Sequence, residues 1–285
     1  MKIQRHNDEI EIVGVSDFDL GLTFECGQCF RWDIVDYNRN NAVNCTYIGV
    51  AFGHVVKVRR VGKSVFISCS EEEFEGVWHN YFDLDLDYAV IRQQLCIDDF
   101  MEQVITYGKG IRLLRQEKWE VLCSFILSQN NNIPRIKSII DTLCREFGDE
   151  IEYEGKTYYT FPSAEKIAAL DTERLAPLRC GYRADYIIRS AKAVADGSIN
   201  LEALTGDTPD IARLALKTLH GVGDKVADCV MLFGLHMLNA FPVDVWMERA
   251  VVKHYGTDFD PAVFSPYAGI AQQYIFNYAR NIGIK

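Results

Sequence analysis

Hydrophobic and polar positions follow two different patterns along this chain. In the first third, short β-branched and apolar runs are bounded by glycine, asparagine or charged turns, which predicts antiparallel strands with short connections. These predicted strands cover residues 10–13, 45–50, 54–58 and 64–68. From Trp119 onward, apolar residues such as Val121, Phe125 and Leu127 recur at helical spacing.

The change of pattern predicts an α+β protein with two domains. An antiparallel β domain is expected over residues 1–112, followed by an all-helical domain over residues 113–285. The helical stretch over residues 74–103 fits against either domain.

The most informative segment covers residues 219–229 and has the sequence LHGVGDKVADC. Apolar residues at helical spacing precede and follow it, so it predicts a helix, a tight hairpin and a second helix. Gly221 and Gly223 can adopt positive φ and present backbone N–H groups at the start of the second helix, where the dipole favours a phosphate. The hairpin, His220 to Gly223 with Val222 between the glycines, is therefore predicted to bind a nucleic-acid backbone whatever its base sequence.

Lys225 lies in the first turn of the second predicted helix, where the positive end of the helix dipole opposes an ammonium group. As a neutral amine, a lysine is a nucleophile that attacks electrophilic carbon and forms Schiff bases. Asp244 is the candidate to stabilise the charge that develops, since Pro242 breaks the chain after the helix and can return a carboxylate towards the hairpin. Taken alone, the hairpin also fits an ordinary turn with a solvated lysine, or a DNA-binding hairpin without catalytic activity.

The hairpin, Lys225 and residues 242–244 together resemble the helix-hairpin-helix DNA glycosylase superfamily. The resemblance implies excision of a base from DNA. In the bifunctional branch of that superfamily the lysine attacks C1′ of the sugar, while the aspartate stabilises oxocarbenium character and assists proton transfers.

Four further segments resemble the eukaryote-type 8-oxoguanine DNA glycosylase, and they run nearly end to end. They are Gly27 to Trp32, Gly110 to Gln116, Ser128 to Ile136 and Gly181 to Tyr186. This resemblance implies a glycosylase that is also an abasic-site lyase. Its partner would be double-stranded DNA that contains 8-oxoguanine, with cytosine as the opposite base.

The resemblance also assigns residues to the base opposite the lesion. Asn130 would be inserted opposite the lesion, Arg135 and Arg183 would contact the estranged cytosine, and Tyr182 would stack beside the gap. These side chains suit the task, because short amides can hydrogen-bond an orphaned base and a guanidinium offers several donors in a fixed fork. The alternative is that the asparagines cap a helix and that Tyr182 packs in a core.

A pocket for the damaged base follows from the same resemblance. The lesion differs from guanine chiefly by a protonated N7, a donor in place of an acceptor, so one well-placed carbonyl can distinguish the two. The family places that carbonyl on the glycine that matches Gly27. Gln272 would bind the Watson–Crick edge, and Phe276 and Cys229 would lie against the two faces. Simple core packing is the alternative for Phe276.

One position departs from the family pattern. Family members often have a histidine two residues after the aspartate, expected to face a phosphate, whereas this chain has Trp246. An indole donates one hydrogen bond and carries no charge. We therefore expect Trp246 to pack or to donate through its N–H.

The net charge of −10 and the pI of about 5.1 argue against a protein that binds DNA by bulk attraction. The acidic clusters lie away from the motifs, however, whereas Arg179, Arg183, Arg189 and Lys192 lie near one predicted DNA face. A local basic surface of this kind predicts an affinity that falls steeply with salt.

The nine cysteines predict neither a metal centre nor another cofactor. Cys26 and Cys29 form the only close pair, without a second pair at zinc spacing. Beyond Cys229 the sequence has no cysteine, which excludes the iron–sulfur cluster of the adenine-glycosylase and endonuclease III branches. The resemblance leaves open a monovalent cation on the hairpin carbonyls.

The absence of an apolar leader and of an apolar run of about 18 residues predicts a soluble intracellular protein with free thiols and no membrane partner. We expect it to act as a monomer. Two rival functions stay open: a 3-methyladenine-type glycosylase, which would lack the lysine nucleophile, and a damage-binding protein that does not cut DNA.

Overall fold

Strands dominate the beginning of the chain and helices the remainder. The computed structural model describes residues 2–6, 8–15, 17–37 and 44–283 of the 285 residues. Its strands are β1 Lys2–His6, β2 Glu9–Val13, β3 Trp32–Tyr37, β4 Cys45–Ala51, β5 His54–Val61, β6 Ser64–Ser68, β7 Glu150–Tyr153 and β8 Lys156–Tyr159. Its helices are α1 Leu20–Glu25, α2 Glu71–Glu73, α3 His79–Tyr81, α4 Tyr88–Leu95, α5 Asp99–Tyr107, α6 Lys118–Ser128, α7 Ile133–Phe147, α8 Ala164–Ala168, α9 Arg183–Ala195, α10 Pro209–Leu216, α11 Asp224–Phe233, α12 Val245–Tyr255 and α13 Ala268–Ile282.

The chain forms two compact units. The first unit contains Met1–Gly49, Val56–Arg115 and Leu238–Lys285, and the second contains Val50–Val55 and Gln116–Met237. The last two helices, α12 and α13, therefore belong to the same unit as most of the N-terminal sheet. The predicted domain boundary after residue 112 stays a prediction.

The N-terminal strands form one sheet in the order β1-β2-β6-β5-β4-β3. The pairs β1–β2, β2–β6, β5–β6 and β3–β4 are antiparallel. Ile10 and Ile12 of β2 and Val65 and Ile67 of β6 are buried, while the residues between them are half-buried. This alternation places one face of the sheet on a core. The predicted antiparallel sheet is confirmed, and β1 and β3 extend it beyond the four predicted strands.

An aromatic cluster fills the core of the first unit. Phe24 stacks on Trp32 with 4.0 Å between ring centroids, and the Trp32 indole N–H donates to the Tyr81 hydroxyl at 2.7 Å. Phe82 packs against both rings of the stack. A side chain at Gly49 would overlap the Trp32 ring. The cluster gives a close-packed base to the segment that follows α1.

Buried polar side chains join two of the segments that carry the family resemblance. Gln28 Nε2 donates to the carbonyls of Thr23 and Arg112 at 2.9 and 2.7 Å, and Gln28 Oε1 accepts from the Leu114 amide at 2.9 Å. The Arg112 guanidinium donates to the carbonyls of Asp17, Phe82, Asp83 and Leu86. Because these buried groups are satisfied together, they fix the segment around residues 27–32 within the first unit.

The second unit is built around α6. This helix is buried along most of its length and packs against α7, α9 and α11, as expected for a central helix that is apolar on all sides. Phe125 of α6 stacks on Phe233 of α11 with 5.2 Å between centroids. The predicted α+β class is confirmed, and the mainly helical region also contains the β7–β8 hairpin, which the apolar periodicity did not indicate. Within the described ranges, no helix combines the length and apolar character needed to cross a membrane.

Candidate functional site

The predicted hairpin is present in the second unit between α10 and α11. Gly221 has a φ of +81°, and a Cβ at this position would overlap the Tyr186 ring. Glycine is therefore required there both by backbone conformation and by space. Gly223, in contrast, is the N-cap of α11 with a φ of −94°, so only one of the two glycines adopts the positive φ that both permit. His220 packs edge-on against Tyr186, with 4.9 Å between centroids.

Lys225 is the second residue of α11 and is half-buried. Its ammonium donates to Ser128 Oγ at 3.1 Å and lies 5.2 Å from the centroid of the Phe125 ring. Ser128 Oγ in turn donates to the Phe125 carbonyl at 2.8 Å. Among the ion pairs found between described residues, none involves Lys225. A lysine held by a hydroxyl and an aromatic ring, without a carboxylate, needs to lose only a proton to become a nucleophile.

Asp244 is the N-cap of α12 in the first unit. One oxygen, Oδ1, accepts from the backbone amides of Trp246 and Met247 at 3.0 and 2.9 Å. Within the described ranges, no donor binds the other oxygen, Oδ2. The helix N-terminus therefore fixes the carboxylate in one orientation and leaves Oδ2 available for substrate.

The three consecutive asparagines have three different roles. Asn131 Nδ2 donates to the Leu127 carbonyl near the end of α6, and Asn132 Oδ1 accepts from the Arg135 amide and caps α7. Asn130 is exposed at a φ of +47°, and its amide lies 3.5 Å from the Tyr182 hydroxyl. The capping alternative is therefore correct for Asn131 and Asn132, whereas Asn130 remains free to face a ligand.

Tyr182 is exposed over 49% of its surface, so the alternative that it packs in a core is wrong. Arg183, by contrast, is buried. Its guanidinium donates to the carbonyls of Gln129, Asn130 and Cys180 through four N–H groups. A guanidinium has only five such donors. In this structure Arg183 holds the asparagine loop, and its predicted contact with an estranged base stays a prediction.

Arg135 is exposed at the start of α7, and one of its terminal nitrogens donates to the Arg179 carbonyl at 3.1 Å. The expected basic surface is smaller than the sequence suggests, because Arg189 is paired with Asp185 at 2.7 Å. Since Arg183 is also buried, neither of these two arginines presents a free charge.

Two adjacent glutamines of α13 organise the predicted lesion pocket in the first unit. Gln272 Nε2 donates to the Pro242 carbonyl at 3.0 Å, while its buried Oε1 has no partner among the described residues. Gln273 Nε2 donates to the Cys26 carbonyl at 3.0 Å, immediately before Gly27, which has a φ of +86°. The helix thus holds both the Gly27 segment and the segment that leads to Asp244.

Three other predicted positions have distinct surroundings. Phe276 is half-buried, with the Arg280 guanidinium 5.8 Å from its ring centroid, so it is not wholly a core residue. Cys229 is buried in the second unit, one turn after Lys225. Trp246 is half-buried beside the Arg249 guanidinium, 5.8 Å from the ring centroid, in line with the expected packing role.

Sequence reasoning assigned no role to Ser128, Gln28 or Gln273. Ser128 and Gln28 lie inside segments quoted for the resemblance, but nothing local shows that one contacts Lys225 or that the other fixes Gly27. Gln273 contacts a residue 247 positions away in the chain. Only the polar character of a glutamine on an otherwise apolar helix would have indicated it.

Comparison with known proteins places this geometry in a family. Residues 12–122 match the 8-oxoguanine DNA glycosylase N-terminal domain, and residues 123–263 match the HhH-GPD superfamily of base excision DNA repair proteins. The chain belongs to the 8-oxoguanine DNA glycosylase family. The family resemblance drawn from its motifs is thereby confirmed.

Three relatives illustrate the range of this family and its neighbours. The N-glycosylase/DNA lyase of Saccharomyces cerevisiae is 33% identical over 85% of this chain and 70% of its own length. The Clostridium acetobutylicum 8-oxoguanine glycosylase/lyase, solved with double-stranded DNA containing cytosine opposite 8-oxoG, is 37% identical with a TM-score of 0.91, covering 100% of this chain and 99% of its own. A DNA-3-methyladenine glycosylase of Bacillus subtilis is 30% identical, but over only 61% of this chain and 58% of its own length.

Proposed function

We propose that this protein excises 8-oxoguanine from duplex DNA and then cleaves the strand at the resulting abasic site. The observation that carries the proposal is Lys225, held at the first turn of α11 by the Ser128 hydroxyl at 3.1 Å and free of a carboxylate partner among the described residues. A glycosylase without lyase activity needs no such amine.

Lys225 supplies the nucleophile. The neutral amine attacks C1′, so a nitrogen–carbon bond forms as the bond between C1′ and N9 breaks, and the base departs with that electron pair and takes up a proton. The amine then loses a proton and the sugar ring opens to a Schiff base. Removal of a C2′ proton expels the 3′ phosphate by β-elimination, and water releases the lysine.

Asp244 supplies negative charge for the first step. Its Oδ1 is held by two amides of α12, so Oδ2 can face the sugar as C1′ gains oxocarbenium character. A fixed carboxylate stabilises developing positive charge without having to reorient during the reaction. The carboxylate then accepts the proton that the amine loses and can return it in a later step.

Recognition of the base uses the residues that the family resemblance assigns to it. The Gly27 carbonyl accepts from the lesion's N7–H, the unpartnered Oε1 of Gln272 accepts from the Watson–Crick edge, and Phe276 stacks on the ring. The resemblance assigns the other face to Cys229. Flipping costs a few kcal/mol, and it costs least for a damaged base.

Asn130, Arg135 and Tyr182 act on the opposite strand. Asn130 and Tyr182 are exposed and adjacent, so together they can fill the gap left by the flipped nucleotide. Arg135 has donors left for the estranged cytosine after its one bond to the Arg179 carbonyl. Arg183 holds the loop that carries Asn130. Its remaining N–H group can donate to the estranged cytosine.

Borohydride trapping tests the proposal. A duplex with 8-oxoguanine opposite cytosine is incubated with the protein under single-turnover conditions, and we expect a nicked strand and a covalent adduct after reduction. Lys225→Gln should abolish both while retaining affinity for the lesion. Ion-paired Lys217, eight residues earlier, provides a matched control as Lys217→Gln, which should still form the adduct.

The alternatives give different results. A damage-binding protein would leave neither a nick nor an alkali-labile site, and a glycosylase of the 3-methyladenine type would leave an alkali-labile site without an adduct. We further propose that the protein acts as a monomer in a reducing compartment. The compartment is supported by the nine cysteines, none of which forms a disulfide among the described residues. Light scattering with and without DNA measures the oligomeric state.

A further inference from the structure

Arg179 is an exposed cation that the proposed chemistry does not use. Its neighbours are engaged: Arg189 pairs with Asp185, and Arg183 is bound to loop carbonyls. Within the described ranges, no carboxylate pairs with the Arg179 guanidinium and no carbonyl accepts from it. Because the chain has a net charge of −10, an exposed guanidinium without a carboxylate partner creates positive charge only locally.

The backbone of Arg179 adopts a conformation that suits glycine better. Its φ of +51° and ψ of +33° are left-handed, a region that L-residues with a branched or long side chain rarely adopt. Two hydrogen bonds hold it there: its amide donates to the Ala176 carbonyl at 3.0 Å, and its carbonyl accepts from Arg135 at 3.1 Å. A left-handed backbone conformation at a residue whose guanidinium has no polar partner in the described ranges points to a role with a ligand.

The position of Arg179 identifies the type of ligand. Together with Tyr182 it borders a cavity of about 470 Å³ that is also lined by the apolar residues Leu175 and Ala176. Asp185 also borders this cavity, but its carboxylate is neutralised by Arg189. The unpaired charge at the rim therefore favours an anion next to the exposed ring of Tyr182.

We propose that Arg179 binds a phosphate of the DNA strand opposite the lesion. The inference rests on the proposed function, which places Arg135 at the estranged base, and the Arg179 carbonyl contacts the Arg135 guanidinium directly. Guanidinium–phosphate pairs can be bidentate, and they position a protein on DNA without recognising the base sequence.

Fluorescence anisotropy with an abasic-analogue duplex measures the effect. Arg179→Asn removes the charge and keeps a residue that tolerates the left-handed conformation. We expect about tenfold weaker binding at low salt. The association constant K falls as salt rises, and loss of one phosphate contact should make the slope of log K against log salt less negative by about 0.9. A fourfold rise in salt should therefore reduce the ratio of the wild-type affinity to the variant affinity by about 3.5-fold.

The matched control is Arg145→Gln, which makes the same charge change in the same unit. Arg145 is an exposed, ion-paired residue near the end of α7, ten residues after Arg135, a distance of about 15 Å along a helix. It should leave the affinity and the salt slope unchanged. An equal loss of DNA affinity in the two variants would mean that Arg179 acts only through the net charge of the protein, and it would overturn the proposal.

Single methylphosphonates locate the contact. Neutralising the contacted phosphate on the opposite strand should weaken wild type but not Arg179→Asn, whereas coupling only to the lesion strand would overturn the assignment. A loss that depends on whether cytosine or adenine lies opposite would indicate base recognition and would also overturn it. Because binding is measured without excision, failure of the wild type to release 8-oxoguanine would refute the proposed function and leave this test intact.

Discussion

Asp244→Asn separates the structural role of Asp244 from its chemical role. The carboxylate caps α12 through two amide hydrogen bonds of 3.0 and 2.9 Å from Oδ1. Asparagine offers an oxygen of the same reach and is an equally good N-cap. The substitution therefore keeps the cap and removes only the negative charge.

The expected loss of stability is small. Only the interaction of the charge with the helix dipole disappears, and this is worth about 0.3–1 kcal/mol. A change of this size lowers the Tm of a chain this long by about 2–4 °C at most. If Asp244 acts on C1′ as we propose, loss of its fixed charge should slow base release by at least about a hundredfold.

Asp87→Asn is a closely matched control. Asp87 caps α4 in the same unit, and its Oδ1 also accepts from two backbone amides, those of Ala89 and Val90 at 2.9 and 3.2 Å. Both variants should show the same small shift in thermal unfolding. Only Asp244→Asn should lower the single-turnover rate of 8-oxoguanine release, measured as alkali-labile strand breaks so that lyase activity does not interfere.

Two results would refute this account. An unchanged rate of base release in Asp244→Asn would mean that the carboxylate serves only as a helix cap. An equal loss of rate in Asp87→Asn would mean that a weakened helix N-terminus in this unit, rather than the lost charge, slows the reaction.

Three further predictions concern other parts of the molecule. Ser128→Ala removes the hydrogen bond that orients Lys225 and should slow adduct formation about fivefold, without a change in Tm, as measured by borohydride trapping over time. Gly221→Ala should lower both Tm and DNA affinity because its Cβ overlaps a tyrosine ring, whereas Gly223→Ala, with open space around it, should alter Tm little. The His254 ring stacks on Phe100, and partial desolvation lowers the pKa of this otherwise exposed residue below its ordinary value of 6.5. The unfolded chain therefore takes up a proton first as the pH falls, so thermal unfolding should show a small loss of Tm below about pH 6.5 that is smaller still in His254→Phe.

The hairpin was predictable because its signals are local. A positive φ at Gly221 and a lysine in the first turn of α11 follow from a few consecutive residues. The strands β2, β4, β5 and β6 were predicted for the same reason. The β7–β8 hairpin was not, because each strand has only four residues and none of them is buried, so the short alternation in β7 is a weak signal between the surrounding helices.

The surroundings of the site were less predictable because they depend on contacts between distant residues. Three consecutive asparagines look alike in the sequence, yet two of them satisfy helix ends and only Asn130 remains exposed. Arg183 matches the family pattern and carries a charge, but its donors are nearly all bound to carbonyls. Whether a polar side chain is free for a ligand is decided by the tertiary partners it finds.

The same principle explains how an acidic protein can bind a polyanion. Net charge governs attraction at long range, but the Debye length is only about 8 Å at physiological salt. Within that distance the relevant quantity is the number of cations without a carboxylate partner. Arg189 and Lys217 are paired at 2.7 and 2.6 Å. In contrast, neither Arg135 nor Arg179 has a carboxylate partner among the described residues, and the Arg135 guanidinium contacts the Arg179 carbonyl. The salt dependence of binding should therefore count those few unpaired cations rather than the charge of the whole chain.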